Sequence, residues 1–294
     1  MKYFIALFYL VGSIYAQCNA DNWQKFYNSE SHDMEGCNLE GAALINANLE
    51  NANLQNADLT DAFLGGANLS GANLKNAKLK GATLIEVNLE SANIENGNLS
   101  DANLRDANLV KAFLSGANFM MTDLGGANLS EAKLMDANLS GTNLTASKLN
   151  MSDLSRTKFI GSVLKNAELN KANLSNTNLS KVNLRGASLK EAILDNSKLT
   201  GASLVNADFE KASLKNSDLT GTVLHGTNFT FANLSGVKSS DITGKPKDNN
   251  SEKEISEEWT LINGRIISFQ SIDNNGNESI DWDELIAALK NINK

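Results

Sequence analysis

Apolar residues recur at every fifth position of the chain from Leu39 to Leu234, without a change of phase. The central residue of each five-residue unit is Leu, and the exceptions are Ile94, Phe119, Phe159, Phe209 and Phe229. A period of five fits neither the 3.6-residue period of a helix nor the two-residue period of a strand. The pattern therefore predicts a chain that turns a corner once per unit and directs every central residue to a common axis.

The position two residues before each central residue also has a restricted composition, because it is mostly Ala. The exceptions are Cys37, Val87, Gly97, Thr122, Thr142, Ser147, Ser152, Thr157, Ser162, Thr177, Val182, Ser197, Ser217, Thr222 and Thr227. Only small or β-branched residues occur in this set, so the position is predicted to point inward, where space is short. If four units form the four sides of a square, one coil takes 20 residues.

Units such as Asn46-Ala47-Asn48-Leu49-Glu50 resemble the A(D/N)LXX pattern of the pentapeptide-repeat family. The resemblance covers residues 37–237 and implies an all-β right-handed quadrilateral β-helix. About ten coils stacked ~4.8 Å apart would give a rod ~48 Å long. Phe209 and Phe229 are 20 residues apart and are expected to stack in adjacent coils. The remaining positions carry mixed polar residues, and a protein partner would bind on these outer faces.

The N-terminus has the features of a secretory signal. Met1-Lys2 precedes a largely apolar run from Tyr3 to Ile14, which is short for a membrane span but typical of a signal-peptide core. We expect residues 1–16 to be a signal peptide cleaved after Ala16, which leaves no membrane span and a secreted or periplasmic protein. The alternative is a retained membrane anchor.

Export would place Cys18 and Cys37 in an oxidising compartment, where two cysteines favour a disulfide. Such a bridge would tie an N-terminal cap, residues 17–36, over the first coil. Trp23, Phe26 and Tyr27 supply apolar bulk for this cap, which the end of a solenoid requires. The alternative is that Cys37 is only a small inward residue and Cys18 is free.

The repeat ends after Leu234, and residues 238–251 form a polar linker with Gly244 and the only proline, Pro246. Ser251 and Glu254 have the spacing of a capping box, which predicts a helix that ends near Gly264. A second helix is predicted over residues 265–272. Residues 252–294 are thus expected to form a small α-helical module that either docks on the last coil or pairs with another chain.

The twelve residues from Asp273 to Glu284 resemble an EF-hand calcium loop. The spacing of their oxygen donors implies a Ca²⁺ site, with the ligands Asp273, Asn275, Asn277, the Ser279 carbonyl, Asp281 through a water and Glu284. Glu278 stands where this family requires Gly, at a cost on the order of 1 kcal/mol. The expected affinity is weak, ~10⁻⁴ to 10⁻³ M. The alternative is an inactive EF-hand kept for packing.

The chain has a net charge of −8, but residues 37–237 contain 17 basic and 19 acidic residues, so the rod itself carries only −2. The first half of the rod, residues 37–136, carries −6, and the second half carries +4. End-to-end association of such rods is one use of that gradient, whereas pairing of the C-terminal EF-hand-like motif with another chain would give a dimer. Solvated surface charge is the other reading.

The sequence contains no catalytic constellation, because His32 and His225 are isolated and no pattern activates a serine. These features predict an exported non-catalytic interaction scaffold that binds calcium. The pentapeptide-repeat resemblance implies an alternative, a DNA-mimicking inhibitor of a topoisomerase-type enzyme. Mimicry of a duplex requires a strongly acidic rod, which this sequence does not provide, and no basic aromatic patch indicates binding of nucleic acid itself.

Overall fold

The computed structural model describes residues 18–28, 32–244 and 246, and the backbones of two strands at 258–261 and 265–268. Helix α1 spans Trp23–Tyr27 near the N-terminal end. Trp23, Phe26 and Tyr27 are partly buried against the core, and the Tyr27 ring stacks on His32 with 4.7 Å between ring centroids. This short helix covers the first turn of the main body.

The main body is a four-sided coil in which the backbone pairs with itself every 20 residues. Parallel pairing joins Asp33 to Asn53, Asn53 to Asn73, and so on to Val223 with Thr243. The predicted period of four units per coil is therefore confirmed. Each unit contributes a short extended segment to one flat side, and successive coils stack as in a parallel sheet.

Each corner is a β-turn whose third residue has a positive φ. The amide of Ala57, for example, donates to the carbonyl of Leu54 at 3.0 Å. Every fifth residue from Gly36 to Asp241 has a φ between 54° and 71°. Gly and Asn adopt this conformation most easily, which explains their frequency at the corners. Lys111 and Phe231 show that larger residues are also accepted there.

In the interior of the coil, a unit with Asn or Asp before its central residue satisfies all five of its backbone amides. In residues 53–57, Leu54 and Asn56 donate to the next coil at 2.7 and 2.9 Å, and Asn53 donates to the preceding coil at 3.0 Å. Ala57 closes the corner, and the Gln55 amide donates to Oδ1 of Asn53 at 3.3 Å. The carboxamide thus supplies the one acceptor that the coil lacks, which is a physical reason for the repeated Asn.

The core is the axial stack of central residues, which are almost completely buried from Met34 to Leu224. The small positions are buried as predicted, and their hydroxyl groups bond to backbone, as when Thr142 Oγ1 donates to the Phe119 carbonyl at 2.8 Å. The Phe209 and Phe229 rings stack with centroids 5.3 Å apart, which confirms that prediction.

The coil is longer at both ends than the predicted residues 37–237. Asp33 already pairs with Asn53, and Met34 is buried, so the expected cap at 17–36 includes one repeat unit. The unit was not recognised because Met34 replaces Leu and His32 replaces the small residue. Lys238 and Thr243 also pair with the preceding coil, within the expected linker 238–251. Ser239 at the central position conceals that unit.

The two helices predicted over residues 252–264 and 265–272 are wrong where the structure describes the chain. Strand β1, Glu258–Leu261, and strand β2, Arg265–Ser268, form an antiparallel pair with Trp259 opposite Ile267. Both segments are rich in aromatic and β-branched residues, which favour strands, and the connecting sequence contains the Asn-Gly dipeptide of tight hairpins. Among the described residues, no helix is long and apolar enough to cross a membrane.

Candidate interaction surfaces

Each side of the coil presents two columns of side chains to solvent. One column holds the residues just before the central positions, the other holds those just after, and members of a column recur every 20 residues. A side chain therefore lies directly above its counterpart in the next coil. Corner residues form the edges between neighbouring sides. The outer surface can consequently be read as four faces, each with its own two columns.

One face has an asparagine ladder along its first half. Asn68, Asn88 and Asn108 each donate from Nδ2 to Oδ1 of the asparagine 20 residues earlier, at 3.2, 3.1 and 3.0 Å. The Oδ1 of Asn68 also accepts the Ser70 amide at 3.2 Å. These amides are engaged within the fold. The ladder is therefore primarily structural.

All four faces carry ion pairs between neighbouring coils, including Lys75 with Glu95 and Lys78 with Asp58, both at 3.0 Å. Burial opposes ionisation of Asp58, but hydrogen bonds from Thr60 and Lys78 outweigh it and lower the pKa of this carboxyl. These pairs are exposed, so each contributes little to stability. Their main effect is to neutralise charge within a face.

At one edge, Arg156 donates two hydrogen bonds to Asp136, at 2.8 and 2.7 Å. These hydrogen bonds lower the pKa of Asp136 and raise the pKa of Arg156. The two side chains are 53% and 54% exposed, so solvent screens the pair. The Arg156–Asp136 pair is therefore neutral as a whole and presents no net charge to a partner.

One face, which we call the groove face, has its outward columns at residue 43 and residue 45 and at every twentieth residue after each. Its first coils are apolar, because Ile45 and Phe63 are 61% and 49% exposed and Ile85 lies beside them. An open groove of about 320 Å³ is lined by Ile45, Asn46, Phe63, Gly65, Gly66, Thr83, Ile85 and Glu86. Gly65 leaves its floor without a side chain.

This groove lacks the Asn or Asp acceptors that most units of the coil have, as do other units such as those of Lys78, Lys148 and Lys158. Ala43, Phe63 and Thr83 occupy, in three successive coils, the position where Asn or Asp would accept the amide two residues later. The amides of Ile45, Gly65 and Ile85 therefore have no carboxamide or carboxylate acceptor in their own unit. Of these three, only Phe63 puts a large exposed apolar side chain at the Asn position, and Ile45 and Ile85 extend the apolar surface from the neighbouring column.

A smaller apolar patch lies on the neighbouring face, where Met120, Met121 and Ile160 are 44%, 63% and 42% exposed. Met120 and Ile160 belong to one column, but Ser140 separates them. The patch is interrupted by a polar residue in the middle coil. The groove, in contrast, is continuous over its three coils.

Of the site residues predicted from sequence, the structure describes the two cysteines but not the calcium ligands. Cys18 and Cys37 form a disulfide with their Cα atoms 4.8 Å apart. The predicted calcium ligands, Asp273 to Glu284, lie outside the described residues. His225 is exposed on the groove face. Within the described part of the chain, no group of three or more His, Cys, Asp or Glu side chains could hold a metal ion.

The five-residue pattern does not predict the groove, because within single units the outer positions form only a mixed polar set. A signal was present, since Ile45, Phe63 and Ile85 emerge together when the sequence is written in rows of 20. The five-residue period identifies the core residues. The 20-residue period identifies which outer residues are neighbours on a face.

Comparisons with known proteins agree with this architecture. Models of pentapeptide repeats match residues 33–71, 67–106 and 98–136, and a pentapeptide repeat region model matches residues 152–229. No curated protein sequence matches the chain.

Among solved structures, the chain is similar to HetL, a pentapeptide repeat protein involved in heterocyst differentiation regulation from the cyanobacterium Nostoc. The two are 31% identical over 74% of this chain and 96% of HetL, with a TM-score of 0.48. It is also similar to the pentapeptide repeat protein Rfr23 from the cyanobacterium Cyanothece, at 33% identity over 40% of this chain and 67% of that one, with a TM-score of 0.23.

QnrB1, a plasmid-mediated fluoroquinolone resistance protein, is 16% identical over 72% of this chain and 89% of its own, with a TM-score of 0.30. The family models together match more than half of the 294 residues. The chain belongs to the pentapeptide-repeat family, whose fold is a right-handed β-helix.

Proposed function

We propose that the chain is an exported, non-catalytic interaction scaffold that binds a protein partner on the outer faces of its β-helix. The observation that carries the proposal is the apolar groove lined by Ile45, Phe63 and Ile85, in which Phe63 stands in place of the stabilising Asn. The regular coil fixes the backbone that carries these side chains, which lowers the ordering cost of binding. Apolar side chains at the centre of a surface are typical anchors for a partner.

Photocross-linking in the source cells tests this role, with benzoylphenylalanine in place of Phe63. We expect a discrete adduct from this position. Phe113 is the matched control, because it holds the same outward repeat position on another face and is 39% exposed, beneath Lys133. Buried Phe159 is a second control. Equal adducts from positions 63 and 113, or none from position 63, would contradict the assignment of this groove.

The proposal includes calcium binding through Asp273, Asn275, Asn277, Ser279, Asp281 and Glu284. Its support is the spacing of hard oxygen donors in the sequence, which suits a calcium ion. Strand β2 lies in the segment where an EF-hand would have its entering helix, so the segment that precedes this loop differs from that of the EF-hand family. The Glu284 carboxylate would provide the bidentate ligand, and the bound ion would stabilise the folded loop.

Calorimetric titration of the full chain with calcium should show about one ion per chain, with a dissociation constant of ~10⁻⁴ to 10⁻³ M. Glu284→Gln should abolish the heat because it removes the bidentate carboxylate. Glu278→Gln is the matched control, since it removes the same charge from a position that supplies no ligand. Absence of heat up to millimolar calcium would remove calcium from the proposal and leave the groove unaffected.

The alternative function, inhibition of a topoisomerase-type enzyme by DNA mimicry, is implied by the family resemblance. The distribution of charge does not favour it, because residues 37–237 carry only −2 and seven of their 19 acidic groups pair with Lys or Arg. The likeness to QnrB1 extends to the fold only. Inhibition of gyrase supercoiling by this chain would favour the alternative.

A further inference from the structure

The groove face differs from the other three in how its charges are distributed along the rod. On this face and its two edges the acidic residues before residue 241 all lie in the first half, at Asp61, Glu86, Asp101, Asp106 and Asp123. The cations of the second half are Lys165, Lys181 and Arg185, with no acidic residue beside them up to residue 226. In the first half only Arg105 is basic, and Asp123 holds it at 3.5 Å.

Apolar residues occur at both ends of this face. Ile45, Phe63 and Ile85 line the groove at the acidic end. Val163, Val205 and Val223 stand in the outward columns at the basic end, and Val223 is 36% exposed. One half of the face is therefore apolar and acidic, and the other half is apolar and basic. A surface of this kind complements an inverted copy of itself.

We propose that the groove face is the interface of an antiparallel homodimer, in which the acidic half of each copy lies on the basic half of the other. This inference rests on the proposed role of the outer faces as binding surfaces, and it names a second copy of this chain as the occupant of the groove. The interface is isologous, because a two-fold axis across the face makes both contacts the same.

A single register satisfies the apolar and the charged contacts together. The coils recur every 20 residues, so placing the coil of Ile45 opposite the coil of Val223 fixes all the others. Phe63 then lies opposite the coil of Val205, and Glu86 lies opposite the coil of Arg185. The same register brings Asp106 to the coil of Lys165. Opposite charges across an interface set its register and exclude the parallel arrangement.

The size of the face indicates a weak dimer. From the coil of Ile45 to that of Val223 the face spans about 43 Å, with coils ~4.8 Å apart, and its width is roughly 10 Å. The two copies together would bury on the order of 1,000 Å², which is at the low end of specific interfaces. We therefore expect a monomer–dimer equilibrium in the micromolar range rather than a permanent dimer.

Charge exchange tests the arrangement by sedimentation velocity on the purified full chain. Glu86→Lys and Arg185→Glu should each weaken the dimer roughly tenfold, because each change acts twice in a two-fold interface. The double variant should restore the wild-type equilibrium, since the reversed charges meet again. Lys occupies corners with the same backbone at Lys111 and Lys171, so the fold accepts Glu86→Lys. Glu131→Lys, at an edge of other faces, should leave the dimer unchanged.

A chain that stays monomeric throughout the micromolar range would overturn the homodimer. The homodimer would also be overturned if neither single charge reversal changed the dimer dissociation constant, or if the double variant dimerised no more tightly than either single variant. Because purified chain alone is measured, these outcomes are separate from failure to bind another protein. Unfolding midpoints of the variants equal to that of the wild type exclude loss of the fold as the cause.

Discussion

Replacing Leu134 by Ala should lower the free energy of unfolding by about 3 to 4 kcal/mol. The Leu134 side chain is fully buried in the axial stack. Each coil relies on its neighbours for burial, and the backbone around Leu134 is fixed by a 2.7 Å hydrogen bond to the next coil, so the cavity cannot collapse easily. Chemical denaturation of the full chain measures the loss.

Position along the stack provides the first control for this prediction. Leu234 belongs to the same axial column but is only partly buried at the C-terminal end, so Leu234→Ala should cost clearly less. Lys215→Ala, at an exposed outward position, should change stability by less than about 0.5 kcal/mol. A loss at Leu134 no greater than that at Lys215 would contradict the continuous core.

The Cys18–Cys37 disulfide should contribute about 3 kcal/mol, because it closes a loop with a sequence separation of 19 in the unfolded chain. The double variant Cys18→Ala, Cys37→Ala isolates this term. Cys37 is buried at the small inward position, where Ala is the usual residue, so the substitution opens little cavity. Denaturation with and without a reductant gives the difference.

Reduction of the wild-type protein is the matched measurement. It should produce the same loss of stability as the double variant, and a reductant should have no effect on the variant itself. A difference of less than about 1 kcal/mol between oxidised wild type and variant would mean that the N-terminal segment is held by its packing rather than by the bond. In that case Trp23, Phe26 and Tyr27 would carry the contact with the first coil.

The sequence predicted the core well because each inward position obeys a packing rule that is visible one residue at a time. A central residue must fill the axis, and the residue two before it must be small, so both are read directly from a five-residue register. Met34 and Ser239 were not predicted as central residues because neither is Leu, although both stand at central positions of the coil.

The outer surface was harder to predict because the composition of each face depends on residues that are 20 apart in the sequence. Ile45 and Phe63 look like isolated substitutions in a repeat, and only the closing of the coil makes them neighbours. The helices expected around residue 265 failed for another reason. The capping box and the EF-hand resemblance both predict helices there. The β-branched residues of Arg265-Ile266-Ile267 favour a strand instead, and the structure pairs that segment as β2.

The central claim is that the apolar residues of the groove serve binding rather than folding, and the unfolding free energy of one variant tests it. The variant carries Ile45→Ser, Phe63→Asn and Ile85→Ser and is compared with wild type at a concentration where both are monomeric. We predict stability within about 0.5 kcal/mol of wild type, or slightly above, because Asn at position 63 can accept the Gly65 amide. A loss of more than about 2 kcal/mol would show that these side chains hold the coil together and would contradict the account.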